Sequence, residues 1–198
     1  MIAILDYGSG NLRSAERAFA AAGVDVRVTS DSSVAIAADG LVVPGVGAYA
    51  ACMSQLSSID GTRIIQERLQ AGKKILGICV GMQILFDEGT EKKSTPGLAL
   101  LPGRVSPIEN RILPHIGWNT VSAGAGSQLF RGLDGESFYF VHSFAAHTPV
   151  PNAINSITEY EDRFLSAVES ELISATQFHP EKSGDAGARL IRNWVESL

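Results

Sequence analysis

What most constrains the fold of this chain is a rhythm in its first half. Short apolar runs suited to β-strands end in glycine or proline and give way to segments with helical spacing. Residues 2–5 lead into Gly8-Ser9-Gly10, after which Asn11 is placed to cap a helix running to about Ala22, with Gly23 closing it. Residues 24–29 read as a second strand and 40–43 as a third, stopped at Pro44. Ile64, Ile65 and Leu69 give 62–71 a helical stripe, Gly72 ends it, and 74–78 resumes a strand. Strands separated by helices do not close as hairpins; they lie parallel beneath a cover of helices. The second half is different. Six β-like segments, 104–108, 116–122, 137–142, 153–160, 164–168 and 171–178, follow one another without long helical patterns, so antiparallel additions are expected there. A helix over 184–198, with Leu190, Ile191, Trp194 and Val195 on one side, ends the chain. The expected fold class is therefore α/β: an open, mostly parallel central sheet with flanking helices and added antiparallel strands. No linker or internal repeat divides it, so residues 1–198 are read as a single domain.

Composition narrows the function classes. A chain of 198 residues with 45% hydrophobic and 19% charged residues supports a core without staples and is neither disordered nor fibrous. Its net charge of −5 gives no basic footprint for nucleic acid or an anionic membrane. Two cysteines, Cys52 and Cys79, make no disulfide framework, and no Cys/His spacing suggests a metal site. No apolar stretch approaches the roughly 20 residues of a membrane span, and the N-terminus reads as a strand, not a signal peptide. The expectation is a soluble cytoplasmic protein without metal or cofactor.

Gly77-Ile78-Cys79-Val80-Gly81 carries the strongest chemical signal. It lies between an apolar strand and a helical stretch over 82–86, the arrangement of a nucleophile elbow with Cys in the serine position. Such a turn forces its central residue into a strained backbone and presents an exposed thiol at a helix N-terminus, where the anion is favoured. The N–H of Val80 would then face a developing oxyanion. The plainer alternative is a buried Cys79 acting as a small hydrophobe. Cys52 reads as such a filler on a helix.

Gln177-Phe178-His179-Pro180-Glu181-Lys182 supplies what a thiol nucleophile needs. With Pro180 opposing a helix, His179 and Glu181 sit two apart in extended chain and project to one side. An imidazole held by a carboxylate takes the thiol proton and returns it to a leaving amine. Taken alone, each residue reads better as a solvated group at a strand end. Pro44-Gly45-Val46-Gly47 follows the third strand, and its glycines let backbone N–H groups approach a ligand, offering a second oxyanion donor. Read alone it is a tight turn. Neither it nor Gly8-Ser9-Gly10 completes the dinucleotide fingerprint, because the third glycine is missing.

Together these residues resemble the class I glutamine amidotransferases, whose triad is a Cys on an elbow followed far downstream by His-Pro-Glu. Within that family the chain is similar to the glutaminase subunits that serve imidazole glycerol phosphate synthase. The stretches carrying the closer likeness are Asp6-Tyr7-Gly8-Ser9-Gly10-Asn11-Leu12, Pro114-His115-Ile116-Gly117-Trp118-Asn119 and Tyr139-Phe140-Val141-His142-Ser143. The resemblance implies a flavodoxin-like layout, a catalytic triad of Cys79, His179 and Glu181, and an oxyanion hole drawing on Val46, Gly47 and Val80. It places Gly47, Gln83, Glu91, His142, Ser143 and Phe144 around an L-glutamine substrate. It also implies a heterodimer with a (β/α)₈-barrel cyclase subunit, faced by Asn11, Trp118, Tyr139 and Lys182, and a Pro44-to-Gly47 turn able to flip a peptide N–H toward the oxyanion. The alternatives are a glutaminase serving another synthase and a catalytically silent relative. The intact Cys79, His179 and Glu181 speak against the second.

Overall fold

A computed structural model describes all 198 residues. In chain order the elements are β1 (Ile2–Leu5), α1 (Leu12–Ala21), β2 (Val26–Thr29), α2 (Ser32–Ala37), β3 (Gly40–Gly45), α3 (Tyr49–Ser58), α4 (Gly61–Gln70), β4 (Ile75–Cys79) and α5 (Val80–Gln83). They continue with β5 (Phe86–Gly89), β6 (Thr95–Pro96), β7 (Leu101–Pro107), β8 (His115–Thr120), β9 (Ser137–His142), β10 (Phe144–Ala146), β11 (Ile154–Tyr160), β12 (Asp162–Glu169), β13 (Ile173–Thr176) and α6 (Gly184–Glu196). A 3-10 turn, Pro180–Lys182, joins the last strand to the last helix.

The main sheet has seven strands in the order β11-β12-β13-β4-β3-β1-β2. Its strands from β13 to β2 are all parallel, and β12 and β11 extend it by antiparallel pairing, as the change of pattern in the second half anticipates. The parallel strands β1, β3, β4 and β13 are buried along their whole length, which is why they read as unbroken apolar runs and not as alternations. α1 packs against α6, while α2 and α3 pack against α4. One continuous cluster of 49 buried hydrophobic residues fills the space between sheet and helices, with Trp194 of α6 set edge-on to Phe19 of α1. A four-stranded sheet, β10-β7-β5-β6, and a two-stranded ribbon, β8-β9, lie outside the main sheet.

Several boundaries differ from the sequence reading for identifiable reasons. Pro44 does not end β3; it pairs in register with Ile78 of β4, at the strand's last turn before the loop. The helix expected over 82–86 is instead the single turn α5, followed at once by β5, because Leu98, Leu100 and Leu101 return to bond the backbone of Ile84 and Leu85. Pro180 does not hold the chain extended. It opens the 3-10 turn, where a fixed φ fits and the missing N–H costs nothing. The first helix follows the reading closely: the Asn11 side chain accepts the Ser14 N–H, and Gly23 lies just beyond its end with a φ of +83°. No helix is long and apolar enough to cross a membrane.

Candidate active site

β4 is central, with β3 on one side and β13 on the other, all three parallel. Their C-terminal ends therefore release three loops at one place: residues 46–47 after β3, the turn at Cys79 after β4, and 177–182 after β13. This is where open parallel sheets bind ligands. The topology thus brings together residues 46, 79 and 179, which are far apart in sequence.

Cys79 has φ 57° and ψ −115°, a sparsely populated conformation that costs on the order of 1–3 kcal/mol for a residue with a side chain. The neighbouring fold imposes it. Gly81 packs so close to β3 that a Cβ there would collide with the carbonyl oxygen of Val43, so α5 turns away directly behind the sulfur. The thiol is not exposed as the elbow reading expects. Cys79 is 3% accessible and forms part of the floor of a cleft of about 320 Å³. Val80 heads α5, so its N–H has no intrahelical acceptor.

His179 is 2% exposed. Its Nδ1 lies 2.7 Å from Glu181 Oε1, and its backbone N–H bonds the carbonyl of Tyr139 at 2.9 Å. Nε2 is buried without a hydrogen bond of full geometry, yet Cys79 is near enough to act on it electrostatically. Burial alone would push this imidazole down; contact with Cys79 and Glu181, and their charge, raise it to about 9. Glu181 does not line the cleft, and its carboxylate stands buried on the far side of the ring.

Val46, Gly47, Val80, Gln83, Glu91, His142, Ser143, Phe144 and Lys182 all line the same cleft as Cys79 and His179. Val46 and Glu91 among them are committed in ways that sequence did not disclose. The Val46 N–H donates to Ser9 Oγ at 3.0 Å and so is not offered to the cleft, and the Val46 carbonyl, in the next peptide, accepts from Ser9 Oγ and from Cys52 Sγ. That corrects Val46 as a donor in this arrangement, although Gly47, with φ +85°, lies on the cleft wall. Glu91 Oε2 accepts the N–H of Tyr49 at 2.9 Å and so caps α3, whose own cap residue, Ala48, lacks a side chain able to do it.

A polar chain borders the cleft. Asn119 Nδ2 meets His115 Nε2 at 3.3 Å, His115 Nδ1 meets His142 Nε2 at 3.1 Å, and His142 Nδ1 meets the Phe144 carbonyl at 2.9 Å. A carbonyl only accepts, so His142 carries its proton on Nδ1, His115 donates from Nδ1 to it, and Asn119 donates to His115. Both imidazoles are neutral, burial pushing His115 down to about 4 and His142 down to about 3. Tyr49, Thr90 and Gln177 belong to the cleft or touch Cys79, and sequence reasoning assigned them no role. Gln177 alone had a signal, its place in the His-Pro-Glu segment.

Of the four residues expected to face a partner, three form one patch. Trp118 is 59% exposed and stands edge-on to Tyr139, with the Lys182 ammonium 6.0 Å from the Tyr139 ring centroid. Asn11 is exposed at the start of α1, which packs against the Pro180–Lys182 turn.

The family described as glutamine amidotransferase class-I matches residues 3–198. The imidazole glycerol phosphate synthase subunit HisH of Nocardia farcinica is 57% identical over all of this chain and 98% of its own length. The subunit of the same name from Corynebacterium diphtheriae is 52% identical, covering all of this chain and 99% of that one. A crystal structure of a glutamine amidotransferase superposes with a TM-score of 0.80 at 18% identity, over 99% of this chain and 97% of that one, a likeness of fold. The chain belongs to the class-I glutamine amidotransferases and, within them, to the HisH subunits of imidazole glycerol phosphate synthase.

Proposed function

We propose that residues 1–198 form a single glutaminase unit, the ammonia-supplying subunit of imidazole glycerol phosphate synthase in histidine biosynthesis. What supports the reading most directly is the meeting of a strained, buried Cys79 with His179, itself held by Glu181 at 2.7 Å, at the ends of adjacent parallel strands. In this reading Cys79 transfers its proton to His179, and the thiolate attacks the side-chain carboxamide carbon of L-glutamine. The oxyanion rests on the N–H groups of Val80 and Gly47; Val46 joins them only when its N–H leaves Ser9. His179 returns the proton to the departing nitrogen, the C–N bond breaks, and ammonia leaves a glutamyl thioester on Cys79. Water, deprotonated by His179, then cleaves the C–S bond and releases glutamate. Gln83 and Glu91 are suited to the polar α-carbon end of the substrate, the free oxygen of Glu91 toward its ammonium.

Ammonia freed into water is protonated near neutral pH and loses its nucleophilicity, so the product requires an acceptor chain. That partner is the (β/α)₈-barrel cyclase subunit, bound as a heterodimer through the Trp118, Tyr139 and Lys182 patch, in the cytoplasm and independently of nucleic acid or membrane. The test is to purify the chain with its cyclase and measure glutamate release. Glutamine-dependent turnover is expected in the complex, and Cys79→Ala should abolish it while ammonia-dependent turnover by the cyclase persists. Unchanged glutaminase activity in Cys79→Ala would falsify the mechanism.

A further inference from the structure

Gln177 is a buried residue whose side chain reaches the sulfur and that the mechanism leaves unused. Its side chain is fully inaccessible, and the direction of its amide is dictated by its neighbours. The Phe144 carbonyl accepts from Gln83 Nε2 at 2.8 Å, which requires Gln83 to present its NH₂ group there. The second proton of that NH₂ goes to Gln177 Oε1, at 2.9 Å. With its oxygen held by Gln83, Gln177 has only its NH₂ to turn toward Cys79, and Nε2 lies 3.8 Å from Sγ. An acceptor-only carbonyl two residues past the end of the β9 strand thus fixes the polarity of two amides and delivers an N–H to sulfur.

We propose that Gln177 is a positioning residue for Cys79: its carboxamide, oriented through Gln83 by the Phe144 carbonyl, holds a hydrogen-bond donor on the sulfur and ties the thiolate to the substrate-facing Gln83. The inference rests on the reading of Cys79 as nucleophile. A donor on sulfur favours the anion over the thiol, and a fixed donor restricts the χ1 rotation of Cys79. Other titratable groups around the sulfur are His179, held from behind by Glu181, at the end of β13, Tyr7 beyond β1, Cys52 on α3, and, lining the same cleft, Tyr49, Glu91, His142 and Lys182. Apart from Cys79 itself, no titratable group hydrogen-bonds the Gln177 side chain, so a change in sulfur reactivity on substitution there reports on the amide.

The experiment follows alkylation of Cys79 by iodoacetamide in the full chain as a function of pH, with the modified peptide identified by mass. Gln177→Met keeps the volume and removes the donor. Its alkylation rate at pH 7 is expected to fall about fivefold, the worth of one ordinary hydrogen bond, with the midpoint of the pH profile moved upward. Gln177→Glu, which sets a carboxylate against the sulfur, should move it further the same way. An unchanged midpoint in either folded variant overturns the proposal. If both variants lose their near-UV circular dichroism, the decision passes to the unsubstituted chain. There the Gln177 side-chain amide resonances should move with the titration of Cys79, and resonances indifferent to it overturn the proposal equally. Failure of the glutaminase reading would show separately, as absence of glutamate release by the unsubstituted complex.

Discussion

At the scale of single residues, the site depends on one strained backbone and one buried ion pair. The turn at Cys79 is held by the contact of Gly81 with β3, so the strain is fixed before any ligand arrives. Glu181 gives His179 both orientation and charge: with Nδ1 on the carboxylate, Nε2 is left for the thiol. Glu181→Gln should therefore lower glutamine turnover on the order of 10²- to 10⁴-fold, the range by which a misdirected acid–base group slows such reactions. It should also bring the proton loss of His179 down from about 9, since Glu181 helps to raise it. Following the imidazole Cε1 proton by NMR against pH checks the second effect independently of activity. A His179 titration unmoved by Glu181→Gln would mean that Cys79 alone supports the cation. The residues of the proposed triad stood out in sequence because the elbow and the His-Pro-Glu run are local patterns with a local mechanism. The burial of the thiol was not, since it depends on a cleft walled by β9, β10 and the loop carrying Glu91. Nor was the engagement of Val46 by Ser9, a contact across 37 residues.

At the scale of elements, the β8–β9 ribbon places two neutral histidines in an aromatic stack. His115 lies 4.0 Å from Tyr160 and 4.8 Å from Phe140 between ring centroids, and hydrogen-bonds His142. Both imidazoles have folded values depressed below the ordinary 6.5. The unfolded chain therefore binds protons that the folded chain refuses. Stability is lost as pH falls from about 6.5 toward 4 and 3, by up to about 1.4 kcal/mol per pH unit for each histidine. His179 acts oppositely: raised to about 9, its contribution is full below 6.5 and disappears as pH rises through 9. Urea midpoints measured from pH 4 to 10 should trace a maximum near neutrality. His115→Phe, which keeps the stack and removes one titrating group, should flatten the acid limb only. An acid limb equally steep in that variant would assign the loss to other groups. The element pattern also marks how far sequence reaches. The bounds of β9 coincide with the reading because Phe138, Phe140 and His142 alternate with half-exposed residues along it. The first residue of β5, Phe86, was absorbed into a helix because Ile84, Leu85 and Phe86 form an apolar run of no fixed period, and the rest of β5 was read as no element. β6 and β10, of two and three residues, are too short to carry any period and exist through pairing with β5 and β7.

At the scale of the whole molecule, the parallel direction of the first-half strands was readable from rhythm, but their order, and the position of β13 beside β4, were not. That single adjacency joins the two halves of the chain and sets His179 next to Cys79. It also decides which face a partner must cover. Ile112, Leu113, Ile116 and Trp118 are exposed hydrophobics along the approach to β8 and on its outer side, and Pro114 among them lines the cleft. An apolar surface this close to the place where ammonia forms is suited to a chain that receives it, because burying the surface also shields the cleft mouth from water. In the proposed interface Trp118 is suited to be the anchor: large, more than half exposed and supported by Tyr139 from the side. Trp118→Ala should weaken association with the cyclase by about 10- to 100-fold, equivalent to about 1.4–2.8 kcal/mol. Titration calorimetry on the purified subunits measures it directly. Lys182 stands over the same tyrosine and also lines the cleft, so Lys182→Ala should combine a smaller loss of affinity with a loss of glutamine turnover in the saturated complex. Undiminished affinity in both variants would move the interface to another face and leave the apolar approach to β8 without its proposed partner.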